Sequence, residues 1–260
     1  MKKELKQDIL NLIKGNKYAL SYFPSLKNDK EFVIEAVKQN GGALEFTSYE
    51  LRNDNDVVLE AIKSNSWALR YASKELRNDK EVVIVAVKKD GDALQFASDK
   101  LQNDKEVVME AMKRNNDALE YASAELKVDK EFIIELVKQD GCALKWASDK
   151  LRSDKEVVLT AVKQDGYALE YASEELKNDK EFMTEVAKRD GFALYYASEE
   201  LKNDKEFVIE AVKQYGLVLQ YASKKLKGDK EVVMEAIKQD EEALEYASDE
   251  LKKELSTIKN

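Results

Sequence analysis

Apolar residues return along this chain in two clusters for every 25 residues, and aspartate keeps the register: Asp29, Asp54, Asp79, Asp104, Asp129, Asp154, Asp179, Asp204 and Asp229 are evenly spaced. Counting that aspartate as position 1, the average unit is apolar at positions 4, 5, 6, 8 and 9, and again at 15, 16, 18, 19 and 23. Both clusters follow helical spacing and neither alternates with the period of two that a strand requires. The pattern predicts an all-α solenoid of about ten 25-residue two-helix repeats. Neither predicted helix is long enough to be stable alone, so contact with neighbouring repeats must supply the fold.

The organisation expected over 1–260 is a single array. Residues 1–28 are a worn N-terminal capping unit, 29–253 hold the regular repeats, and 254–260 form a polar tail. In the worn unit Asp8 to Lys14 stands for the first helix and Tyr18 to Tyr22 for the second, with Pro24 placed to close it early. Asn28, Asn53, Asn78, Asn103, Asn178 and Asn203 precede an acidic pair and are expected to cap the first helix. Gly41, Gly91, Gly141, Gly166, Gly191 and Gly216 are expected to end it in the left-handed conformation.

The second cluster repeats Ala-Leu-x-aromatic-Ala-Ser, with Val218 the one larger residue at its start. Phe46, Tyr71, Phe96, Tyr121, Trp146, Tyr171, Tyr196, Tyr221 and Tyr246 occupy the aromatic place, where a ring beside small residues fills the gap between layers. The serine that follows, Ser48 through Ser248, is expected to bond back to a carbonyl one turn earlier or to ease a tight contact.

Chemistry is sparse in this pattern. The chain has no histidine, which excludes His-dependent serine catalysis. Cys142 is the lone cysteine, so no disulfide forms within the chain and no cysteine metal cluster is available. Asn53-Asp54-Asn55-Asp56 resembles a fragment of a calcium loop but lacks its glycine and distal glutamate, and capping explains the aspartates more simply. No catalytic, cofactor-binding or metal-ligating residue emerges, and a non-enzymatic protein is expected. Lys38, Lys63, Lys88, Lys113, Lys138, Lys163, Lys188, Lys213 and Lys238 form a row that a nucleic-acid backbone could follow. Glutamates three residues earlier neutralise most of that row, and the net charge is −9, so direct nucleic-acid binding is not expected. No secretory leader and no membrane span are expected either, which points to a cytoplasmic protein.

Where the repeats disagree, a partner can be read. Position 14 holds Gly42, Trp67, Asp92, Asp117, Cys142, Tyr167, Phe192, Leu217 and Glu242. Tyr215 replaces the usual Asp or Asn two residues before Leu217, and Tyr195 replaces a polar residue at position 17. Tyr167, Phe192, Tyr195, Tyr215 and Leu217 would therefore form a protein-binding patch with aromatic anchors, a row that only fills space between helix starts, or a small-molecule pocket.

The run from Asp229 to Lys238, followed by Ala243-Leu244-Glu245-Tyr246-Ala247-Ser248, resembles the DUF4116 tandem-repeat family, and the likeness extends over nearly the whole chain. That resemblance implies tandem short helices and brings no activity with it. The resulting expectation is an interaction scaffold or adaptor with an unidentified protein partner. The competing expectation is an acidic inhibitor or decoy that blocks a nucleic-acid-processing enzyme.

Overall fold

A computed structural model describes the backbone of residues 3–258 and the side chains of 3–255. The first two residues of the expected capping unit and the last two of the expected tail lie outside the described residues. The fold is all-α, with no strand among the described residues. The chain forms two compact units, Met1–Lys127 and Val128–Asn260. Each unit is built from the predicted 25-residue repeat.

In the repeat that begins at Asp79, Lys80–Lys89 is the long helix and buries Val82, Val83, Ala86 and Val87. These residues form one stripe at helical spacing and pack against the corresponding stripes of neighbouring repeats. The second cluster is not one α-helix but two pieces. Gly91–Phe96 is a 3-10 stretch, and Asp99–Gln102 is a single α-turn. Between them Ala97 and Ser98 are extended. The helix breaks there because the Ser98 N–H donates to the Arg77 carbonyl of the preceding repeat at 2.9 Å instead of to its own turn. Ser73 to Arg52, Ser198 to Lys177 and Ser223 to Lys202 repeat this bond.

Two expectations about small polar residues are corrected by these contacts. The repeated serine does not bond back to a carbonyl; in every regular repeat but that of Ser148 it caps the short turn. Ser73 Oγ accepts from the Leu76 N–H at 3.2 Å and donates to Asn53 Oδ1 of the preceding repeat at 2.6 Å. That asparagine is consequently at the end of a short turn, not at the start of a long helix. The cap of the long helix is the register aspartate itself: Asp79 Oδ1 accepts from the N–H groups of Glu81 and Val82. The same aspartates join adjacent repeats, as in Lys80 to Asp104 at 2.8 Å and Lys155 to Asp179 at 2.6 Å.

The glycines are needed for close approach rather than for handedness. No described residue has a positive φ. A Cβ on Gly91 would stand 2.4 Å from the Ala111 carbonyl oxygen, and one on Gly191 would stand 2.6 Å from that of Ala211. A side chain there would push the next long helix away. Pro24 also has a different role from the expected one. The preceding 3-10 stretch, Lys17–Tyr22, ends at the aromatic position as in other repeats, and Pro24 opens the next turn, Pro24–Leu26. Its fixed φ suits a first helical position, where a missing N–H costs nothing.

The constant aromatics are half-buried. Ala and Leu of the same stretch carry the buried core, for example Ala93 and Leu94. Among the described residues no helix is long and apolar enough to cross a membrane.

Candidate functional site

A 3-10 stretch has three residues per turn, so side chains three apart lie one above the other. Positions 14 and 17 of the repeat therefore share an outward edge, while positions 15 and 16 turn to the core. In Gly166–Tyr171 this places Tyr167 and Glu170 together, and Asp165 caps the stretch by accepting from the Tyr167 N–H at 2.9 Å. In the next repeat Phe192 and Tyr195 share the edge. There the backbone widens to an α-turn, Ala193–Tyr196, with Ala197 N–H donating to the Ala193 carbonyl at 3.0 Å.

Side by side, these two edges enclose a groove of about 670 Å³ lined by Tyr167, Glu170, Phe192, Tyr195, Tyr196, Lys202 and Tyr221. A smaller hollow of about 180 Å³ shares Tyr167, Phe192 and Tyr196 and is closed by Asp165, Gly166 and Asp190. Gly166 leaves the space that Asp190 uses, since a Cβ there would stand 2.3 Å from the Asp190 carboxylate.

The five residues singled out from the sequence divide in three ways. Tyr167, Phe192 and Tyr195 come together in the groove, exposed by 67%, 39% and 49%. Tyr215 lies behind it, stacked on the Phe192 ring at 5.3 Å between centroids and 28° between planes. Leu217 is half-buried and lines neither hollow. Two constant aromatics, Tyr196 and Tyr221, complete the wall, and the Tyr195 ring meets each of them edge-on at 4.8 Å. Reading every constant aromatic as interlayer filling hid these two. The signal that exposes them is the three-residue turn, which leaves the edge of position 18 beside position 17.

The electrostatics of the groove are mixed but lean acidic. The Glu170 carboxylate and the Tyr196 hydroxyl have no hydrogen-bonding partner among the described residues. Burial, followed by the charge of Glu170, pushes the Tyr196 phenol up to about 12. Lys202 is the one cation of the lining, and its ammonium is held by Glu199 at 2.9 Å. Nearby, Cys142 donates to Asp165 at 3.5 Å, and burial reinforced by that carboxylate pushes its thiol up to about 11. Such a thiol is protonated at neutral pH and a poor nucleophile.

Elsewhere the acidic residues serve the scaffold. Lys30 spans Asp54 and Asp56 of the calcium-like string at 2.7 and 3.0 Å. Among the described residues no three acidic or cysteine side chains converge as a metal site would require. The lysine row is met by its own glutamates, as at Glu35 with Lys38 and Glu210 with Lys213.

No curated protein and no solved structure matches the chain significantly. A family model described as a domain of unknown function matches residues 6–52, 29–77, 79–127, 129–177, 179–227 and 211–252. Each match takes in about two of the repeats described above, with neighbouring matches overlapping at both ends of the chain, and the chain thus belongs to the DUF4116 family, repeated six times along its length.

Proposed function

We propose that this protein is a non-enzymatic, cytoplasmic interaction scaffold that docks a partner protein in the aromatic groove of residues 128–260. One observation carries the reading. Tyr167 and Phe192 occupy a position that other repeats fill with Gly42, Asp92, Asp117 or Glu242, so packing does not demand a ring there. Rings exposed in a concave site and rimmed by charges are the usual anchors of a protein contact. The cytoplasmic setting is supported by a chain whose single cysteine leaves it without any internal disulfide.

The test is comparative affinity capture from native lysate with the wild-type chain and Phe192→Asp. The variant keeps its helicity, measured by circular dichroism, and loses a macromolecule that the wild type retains. Identical captures with both chains would remove the groove from consideration.

A further inference from the structure

The worn first repeat contains an occupied counterpart of the groove. Lys17 lies beside Tyr18, and its ammonium donates to Glu45 at 2.7 Å and to the Tyr71 hydroxyl at 3.0 Å. The same nitrogen stands 5.2 Å from the Tyr18 ring centre and 5.3 Å from that of Tyr71, within the range of cation–π attraction. Its hydrogen bonds to Glu45, then to Tyr71, hold the ammonium well above the ordinary lysine range.

Five repeats further along the register, Glu170 and Tyr196 hold the places of Glu45 and Tyr71. The place of Lys17 is taken by Gly141, which has no side chain to offer. The pair is thus present without its cation. The surrounding walls are richer in rings than the occupied site: Tyr167, Phe192, Tyr195 and Tyr221 stand around them. Asp165 and Asp190 add negative charge at the adjoining hollow, against the single, already paired Lys202.

Resting on the docking reading above, we propose that the groove takes a lysine side chain from a basic segment of a partner protein, its ammonium bound by the Glu170 carboxylate and the Tyr196 hydroxyl and its methylenes laid against Tyr167 and Phe192. A single carboxylate beside a hydroxyl suits a compact ammonium. The planar fork of arginine would instead engage both Glu170 oxygens and leave the Tyr196 hydroxyl unused, whereas the Lys17 ammonium of the counterpart is shared between a carboxylate and a hydroxyl.

The test is fluorescence anisotropy with the full chain and labelled peptides of alternating lysine and serine, together with versions carrying arginine, glutamine or glutamate in place of lysine. The lysine peptide binds best, and binding weakens as salt rises. Glu170→Gln weakens it by about tenfold and Tyr196→Phe, which keeps the ring, by about threefold. Glu120→Gln, the same register position in the other unit, leaves binding unchanged. Equal binding of the glutamine or arginine peptide, or equal loss in Glu120→Gln and Glu170→Gln, would overturn the proposal. A captured partner that depends on Phe192 yet ignores Glu170→Gln would leave the docking reading standing and sink the lysine one.

Discussion

The edge at residues 91–96 and the edge at residues 191–196 are built on the same scaffold and end up with different surfaces. In the first, the polar side chains satisfy one another. Asn115 Nδ2 donates to Asp92 at 2.7 Å, Gln95 Nε2 donates to the Asp92 carbonyl at 2.9 Å, and the backbone stays in a regular 3-10 stretch. In the second, Phe192 and Tyr195 have no such bonds to make and turn to other rings, while the backbone widens into an α-turn. Two substitutions convert a self-contained edge into one that presents apolar surface outward. The long helices beneath are free of that choice, because their buried stripes are alike in both places.

That separation of edge from core can be broken most directly by comparing two phenylalanines. Phe207 is fully buried, and Phe207→Ala should cost about 3–5 kcal/mol. Phe192→Ala should cost less, about 1 kcal/mol, because the residue is 39% exposed and lies outside the buried core. Urea denaturation followed by circular dichroism measures both, and similar costs would mean that the aromatic edge is part of the core.

A smaller effect tests what the two edges share. Gly91→Ala and Gly191→Ala should each destabilise by about 1–3 kcal/mol, since either new methyl meets a carbonyl of the next repeat. Gly15→Ala, with nothing within 4 Å, should instead gain about 0.4–1 kcal/mol. A stabilised Gly191→Ala would show that the α-turn edge does not press on its neighbour.

Smaller again is the loss of a cap. Ser98→Ala and Ser198→Ala should each cost about 1 kcal/mol in thermal melts, because each serine accepts from a leucine N–H and donates to an asparagine of the preceding repeat. Unequal losses would indicate that the short turn after residue 198, which is 3-10 and not α, relies on its cap differently.

The mildest expected effect is one of pH. The Lys155 ammonium, followed by the Phe182 N–H, holds Asp179 below the usual carboxylate range, and Lys205 does the same for Asp229. A depressed folded value means that the native state binds its proton later than the unfolded chain. Stability from these pairs is therefore complete above about pH 4, the ordinary aspartate value, and is lost as pH falls through the folded one. Asp179→Asn should flatten the acid limb of a melting-temperature profile and leave its neutral part nearly unchanged, since exposed pairs contribute little. An acid limb as steep as that of the wild type would assign acid sensitivity to other groups.

Much of this was legible in the chain. The 25-residue register identified the repeat, and its apolar positions identified the long helices, because helical spacing and burial demand the same residues. Tyr167, Phe192 and Tyr195 stood out since they break a polar habit at positions free to vary. The split of the second cluster was not legible. Ala-Leu-x-aromatic-Ala-Ser is compatible with one α-helix, and only the serine N–H turning to a carbonyl of another repeat interrupts it.

The sequence by itself determined the fold class, the repeat boundaries and the residues that had to be buried, since these follow from local periodicity and from side chains too apolar to remain in water. The tertiary structure decided the work of Asp104, Ser73, Gly91 and Tyr196. Each acts through a group 20 or more residues away or through the open side of a half-buried ring, and no local pattern states where such a partner will stand. Contacts across repeats depend on how one layer is turned against the next, and that rotation comes from packing.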